Sequence, residues 1–252
     1  MSVGAPPRWE GALAAIEPVA GWLTPAQARR LWDAARSLRA SAQIVEIGSF
    51  RGRSTIVLAL AAPDGVQVVA IDPHLGGDRG PRELEARPEL GEADHEAFCA
   101  NLQRAGVAGR VRHVRRFSQD ALGAVAGEIQ LLYVDGAHRF VPARADLRRW
   151  GARVPVGGRL LVHDSFSSVG VTLALAAEVI GRAGWRYRGR SGSLAEYERV
   201  NGLGGVSRLA ELGRALRELP WFARNLLIKL LLVARLPAGA RLLGHFSGDW
   251  PY

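Results

Sequence analysis

The sequence predicts an α/β fold: a mostly parallel sheet with helices packed on both faces. Three observations carry this reading. Between residues 43 and about 200, short apolar runs alternate with helix-like stretches. The runs are apolar almost throughout instead of alternating with polar residues, as expected of parallel strands buried on both sides. The first run ends in a glycine-containing loop that opens a helix, the unit from which such sheets are built.

Taken in order, residues 8–40 read as two helices. Thr24 and Pro25 supply an N-cap and a first-turn proline for the second. Its apolar positions, Leu31, Trp32, Ala35 and Leu38, suit packing on the sheet or closing over a site. The five strand-like runs are QIVEIG (43–48), VQVVAID (66–72), RVRHV (110–114), IQLLYVD (129–135) and GRLLVHD (158–164). Helical stretches are expected over 54–61, 94–105, 119–125, 140–151 and 169–182. WRYRGR and SLAEYERV then read as two strands joined by Ser-Gly, a hairpin that places an antiparallel strand at one end of the sheet. Residues 201–252 begin with the Gly-rich NGLGG and continue as two helical stretches separated by Pro220. The expected organisation is an N-terminal helical segment (1–40), a sheet domain (41–200) and a C-terminal amphipathic helical extension (201–252).

Composition narrows the class. A chain of 252 residues, 48% hydrophobic, can bury one substantial core. Its 23% charged residues and 30 glycines fit neither a disordered nor a fibrous protein. A single cysteine, Cys99, excludes a disulfide scaffold or a zinc ribbon. No apolar run approaches the roughly 20 residues of a membrane span, and the start lacks a basic region followed by an apolar stretch, so a cytoplasmic location is expected. The formal charge is +9, but the arginines are scattered and accompany no nucleic-acid motif. An anionic substrate or membrane surface suits that charge better than nucleic acid does.

The chemistry concentrates at strand ends. In the loop from Glu46 to Ser54, Gly48 and Gly52 let the backbone pass close to a ligand, and Ser54 with the helix amides can hold an anionic group. A tight strand-to-helix turn would use the same glycines. The second strand ends in Asp72, which can accept hydrogen bonds from two ribose hydroxyls. A nicotinamide dinucleotide would use such a carboxylate too. However, Thr55 stands where close pyrophosphate approach favours Gly or Ala, so a ribose ligand without pyrophosphate, S-adenosylmethionine, fits better. Asp135 ends the fourth strand; His163 and Asp164 end the fifth. Two carboxylates with open positions suit magnesium, whereas the imidazole of His163 suits manganese or zinc. Capping of the following helices is the other use for Asp135 and Asp164. His138, three residues beyond Asp135, is the candidate general base, since an imidazole near neutral pKa can remove a hydroxyl proton.

Two further segments draw notice. Residues 74–98 are long for a strand-to-helix connection and read as a lid, with Arg79 or Arg82 meeting a polar acceptor, or as an insertion without function. In 221–236, Arg224, Asn225, Lys229 and Arg235 share one side of a helix whose remaining face is leucine-rich. That pattern suits the core, a second subunit in a homo-oligomer, or peripheral contact with an anionic membrane.

The pieces IVEIGSFRGRST, VVAIDPH, RFSQDAL, YVDGAH and PVGGRLLVHDSF occur in this order over residues 43–165. Together they resemble the class I S-adenosylmethionine-dependent methyltransferases. Within that group they are most similar to metal-dependent O-methyltransferases of bacteria that modify sugars and natural products, and more distantly to the catechol O-methyltransferases. The resemblance covers about half of the chain and implies a Rossmann-like methyltransferase fold with a seven-stranded sheet. It implies that Glu46, Gly48 and Ser49 border the methionine half of the cofactor, that Ser54 approaches its carboxylate, and that Asp72 takes the ribose hydroxyls. Ser118 and Gln119 would frame the adenine. Asp135, beside the cofactor, would bind the metal with His163 and Asp164, and His138 stands where the catechol enzymes carry a basic lysine. The expected reaction is methyl transfer to a hydroxyl of a saccharide or polyhydroxylated natural product. An NAD-dependent oxidoreductase and a non-catalytic membrane-associated binding protein are the competing expectations.

Overall fold

A computed structural model describes residues 8–77 and 85–246. Arg79 and Arg82 lie outside the described residues.

The strands are β1 (Gln43–Ile47), β2 (Gln67–Ile71), β3 (Val111–Val114), β4 (Leu131–Val134), β5 (Arg159–Val162), β6 (Trp185–Ser191) and β7 (Leu194–Arg199). They form one sheet in the order β3-β2-β1-β4-β5-β7-β6. β1 to β5 are parallel, whereas β7 runs antiparallel to both β5 and β6. The chain builds outward from β1 to β3, then returns to start β4 on the other side of β1. The order therefore reverses between β1 and β4, and the crevice beyond the carboxyl ends of these two strands is where open α/β sheets bind ligands.

Helices α1 (Trp9–Ile16), α2 (Pro25–Arg36), α3 (Arg53–Ala61) and α4 (Pro88–Arg104) precede β3; α5 (Phe140–Gly151) and α6 (Val169–Glu178) flank β5. The register pairs Ile44 with Leu131 and Val45 with Leu132, so alternate residues feed opposite layers. Ile44, Leu131 and Tyr133 join Ile16, Leu31, Trp32 and Ile56 in one core. Val45, Leu132 and Val134 join Leu147, Trp150, Leu175 and Trp185 in the other. The two N-terminal helices are thus integral to the first core. Thr24 caps α2 through a capping box with Gln27, as its Thr-Pro start suggests.

Three elements differ from the sequence expectation. Residues 119–125 do not form an α-helix: the segment makes two 3-10 turns, Ser118–Asp120 and Leu122–Ala124. Gly123 and the left-handed Gly127 leave too short a stretch for a helical nucleus. The helix expected from 94 starts at Pro88, which occupies the first turn, so part of the presumed loop is ordered helix. The described residues of the C-terminal region form three helices: α7 (Gly205–Leu216), α8 (Leu219–Val233) and α9 (Pro237–Leu242). Pro220 sits in the first turn of α8, where its missing N–H costs nothing. Among the described residues, no helix is long and apolar enough to cross a membrane.

Candidate active site

A cavity of about 470 Å³ opens at the carboxyl ends of β1, β2, β4 and β5. Gly48, Ser49, Ser54, Asp72, Ser118, Gln119, Asp135, His138, His163 and Asp164 all line it. Glu46 does not reach its wall; it is fully buried in β1, behind the loop.

The loop is shaped by steric and electrostatic demands. Gly48 has φ +85°, and a Cβ there would lie 2.1 Å from the carbonyl oxygen of Asp135. Only glycine lets β1 turn this close to the end of β4. The Asp72 carboxylate then pins the turn: Oδ2 accepts from the backbone N–H groups of Ser49 and Phe50 at 2.9 and 2.8 Å, and Oδ1 from that of His74 at 2.8 Å. A carboxylate offers about four acceptor positions, so these bonds leave room for a ligand hydroxyl. Below the loop, the hydroxyls of Ser54 and Thr55 both donate to Glu46. Burial pushes the Glu46 carboxyl up to about 8 against those two bonds, so it is largely protonated at neutral pH. Ser49 Oγ, by contrast, is buried at the cavity with no hydrogen-bond partner. Such an orphan is what a polar ligand would satisfy.

On the opposite wall, the Ser118 hydroxyl donates to Asp146 of α5, and burial raises that carboxyl to about 6. Trp22 and Phe50 pack at 5.3 Å between ring centroids and form an aromatic rim. Sequence reasoning missed Asp146, Trp22 and Phe50 as cavity groups. Trp22 lies in the link between two helices, and Asp146 on a helix without any motif, so neither carried a local signal.

The acid and histidine cluster occupies the ends of β4 and β5. His138 Nε2 lies 2.5 Å from Asp164 Oδ2. His163 Nδ1 lies 3.3 Å from a carboxylate oxygen of both Asp135 and Asp164. Tyr133 donates to Asp135 Oδ2 at 2.7 Å. Burial alone would lower His163, but the two carboxylates carry it up to about 9. Burial would likewise raise Asp164, yet the nearby charge of His163 and the hydrogen bond from His138 hold it well below the usual carboxylate range. Asp135 is raised chiefly by burial; burial lowers His138, but its bond to Asp164 and the charges of Asp164 and Asp135 together carry it up. Asp164 and Phe166 both adopt positive φ, at 58° and 56°. Asp tolerates that conformation, but a bulky residue such as Phe166 holds it only where the surroundings enforce it, commonly at functional sites.

Residues 45–165 match the family model described as a methyltransferase domain. This stretch of the chain carries a methyltransferase domain. The fold agrees with solved structures. Cofactor-bound Rv0187 from MTB is 24% identical with a TM-score of 0.55, over 78% of this chain and 91% of that one. The O-methyltransferase TomG from Streptomyces achromogenes, involved in tomaymycin synthesis and bound to S-adenosylmethionine, is 21% identical with a TM-score of 0.53, over 76% and 88%. An O-methyltransferase from Bacillus cereus in complex with S-adenosylhomocysteine is 20% identical with a TM-score of 0.50, over 77% and 91%. At these identities the likeness speaks for the fold, and the chemistry has to come from the site.

The methyltransferase crevice also fits a divalent cation. One ligand atom each from Asp135, His138 and Asp164 lie within 4.8 Å of one another. Asp164 Oδ1 is buried and makes no hydrogen bond. Two carboxylates and one imidazole form a donor set that magnesium, manganese or zinc can use. The sequence reading placed His163 in the donor set and His138 outside it. The geometry groups His138 with the carboxylates, and encloses His163 more deeply between them.

Proposed function

We propose that this methyltransferase transfers the methyl group of S-adenosylmethionine to a hydroxyl oxygen of a saccharide or polyhydroxylated natural product, assisted by a divalent cation. One observation carries the reading: the Asp135–His138–Asp164 cluster opens into the same cavity as Asp72 and the unsatisfied Ser49 hydroxyl.

In this reading Asp72 accepts the ribose hydroxyls, and Ser118 and Gln119 border the adenine. Gly48 and Ser49 face the methionine portion; Ser54 stands at its carboxylate end, with the protonated Glu46 supporting it from below. Asp135 and Asp164 hold the cation, and His163 supplies the buried positive charge that lets two carboxylates share one pocket. A bound cation supplies Lewis acidity that lowers the acceptor hydroxyl's pKa and orients its oxygen. With its Nε2–H held by Asp164, His138 accepts the hydroxyl proton at Nδ1 as the oxygen–carbon bond forms and the sulfur–carbon bond breaks, leaving S-adenosylhomocysteine. Asp164 then stabilises the resulting imidazolium. The Trp22–Phe50 rim offers an apolar surface for the face of a sugar or phenol ring.

Methyl transfer to a panel of saccharides, phenols and amines, with added magnesium, manganese or chelator, tests this directly. O-methylated product that depends on cation supports it. Methylation confined to nitrogen acceptors overturns the assignment to oxygen.

A further inference from the structure

We propose that α7, α8 and α9 form a docking surface for an anionic lipid membrane.

The core-facing side of α8 is mixed: Ile228 is fully buried and Trp221 and Phe222 pack on the core, but Asn225 is buried beside them while leucines face outward. A helix on a water-facing surface buries its apolar stripe and exposes its polar one. Here the polar residues face the protein: Asn225 Nδ2 donates to the Phe166 carbonyl at 3.1 Å, and Lys229 Nζ to that of Ser167 at 2.9 Å. Leu219, Leu227, Leu230 and Val233 lie outside, with Leu230 65% exposed. At 3.6 residues per turn these four positions fall within about 120° of the helix circumference. α7 repeats the arrangement. Its Glu211 is buried and accepts from the Tyr187 N–H and from Arg214, while Leu209, Leu212 and Leu216 are exposed. Beyond α8, Leu242 of α9 and the following Phe246 are 90% and 80% exposed. α7 and α8 therefore each present exposed leucines, and Leu242 and Phe246 add two more exposed apolar side chains beyond them.

Charge selects the occupant. Residues 205–246 contain six arginines and Lys229, against two carboxylates, Glu211 and Glu218. Both carboxylates are committed to ion pairs, with Arg214 and Arg190 respectively. A second copy docked symmetrically would set this cationic surface against itself. An anionic bilayer accepts both components: leucines enter the interfacial region while arginines meet headgroup phosphates. α8 has 15 residues and no helix among those described can span, so this surface lies on the membrane and does not cross it. The inference does not depend on which acceptor is methylated.

Cosedimentation of the full-length protein with phosphatidylglycerol and with phosphatidylcholine vesicles, alongside a mass measurement in solution, tests it. The expected result is binding to phosphatidylglycerol vesicles, weaker binding to phosphatidylcholine, and release as salt is raised. Leu227→Glu combined with Leu230→Glu changes two exposed positions and should lower partitioning at least about tenfold, two anions being set against headgroups and hydrocarbon. A wild-type protein that stays in the supernatant with phosphatidylglycerol vesicles overturns the proposal without reference to any variant. So does a stable dimer that the double variant dissociates, since the leucine face would then belong to a second copy.

Discussion

The carboxyl edge of the sheet and the C-terminal helices use polar residues in opposite ways. At the sheet edge, apolar strands deliver polar groups to their last residues, where Asp72, Asp135 and Asp164 converge on one cavity. Burial there raises the Asp135 carboxyl and leaves Ser49 Oγ without a hydrogen-bond partner, which is costly unless a ligand is to come. In α8 the buried polar groups are satisfied by the protein itself, through the carbonyls of Phe166 and Ser167. What remains unsatisfied is the apolar outer face. The contrast teaches that the informative residue is the one on the wrong side of the rule: a bare polar atom inside, or a leucine stripe outside.

The largest expected effect sharpens the polar half. His138→Ala should lower turnover by about 10²–10⁴-fold, the usual contribution of a positioned acid–base group. Cation affinity measured by calorimetry separates its two possible uses: unchanged affinity leaves it as proton acceptor, whereas lost affinity makes it a ligand. Next, Asp72→Ala should weaken S-adenosylmethionine binding, because charge-assisted hydrogen bonds to the ribose, worth about 1.5–3 kcal/mol each, disappear. Calorimetric titration of the folded variant reads this, and unaltered affinity would remove Asp72 from the ribose site.

Two stability experiments probe the same contrast. Asn225→Ala strips the buried Phe166 carbonyl of its donor and should cost about 1–3 kcal/mol in urea unfolding. Leu230→Ala, on the exposed face of the same helix, should fall within about 0.5 kcal/mol of wild type. Equal costs would mean that the inside and outside of α8 have been misassigned. A smaller effect concerns Glu46, whose carboxyl is raised by burial from 4.5 to about 8. Between those pH values the unfolded state has lost a proton that the folded state keeps, so this group's contribution to stability declines as pH rises. Glu46→Gln should lack that component, and an unchanged pH profile would show that Glu46 ionises normally.

Much of this architecture is legible in the sequence because parallel strands announce themselves by continuous apolar runs. The five runs placed β1 to β5, and the strand-terminal positions of Asp72, Asp135, His163 and Asp164 follow from them. The hairpin of β6 and β7 was readable from its Ser-Gly turn. Tertiary matters were not readable. A helical wheel of α8 separates Asn225 and Lys229 from the leucines, yet gives no sign of which side meets the core; the partners, Phe166 and Ser167, are some 60 residues away. Asp146 became a cavity group only because α5 brings it to Ser118, a pairing 28 residues apart. The two turns at 118–124 mimic a short helical pattern, and only their i to i+3 hydrogen bonds distinguish them. The start of α4 at Pro88 was masked by the glycine- and charge-rich stretch before it.

The most direct test of the account is methyl transfer by the wild-type protein in excess chelator and again after magnesium is restored, with a hydroxylated acceptor on which turnover has been established. If Asp135 and Asp164 hold a cation that activates the acceptor, transfer should collapse with chelator and recover with magnesium, and Asp164→Ala should show no recovery. Undiminished transfer in chelator would contradict the cation-assisted mechanism.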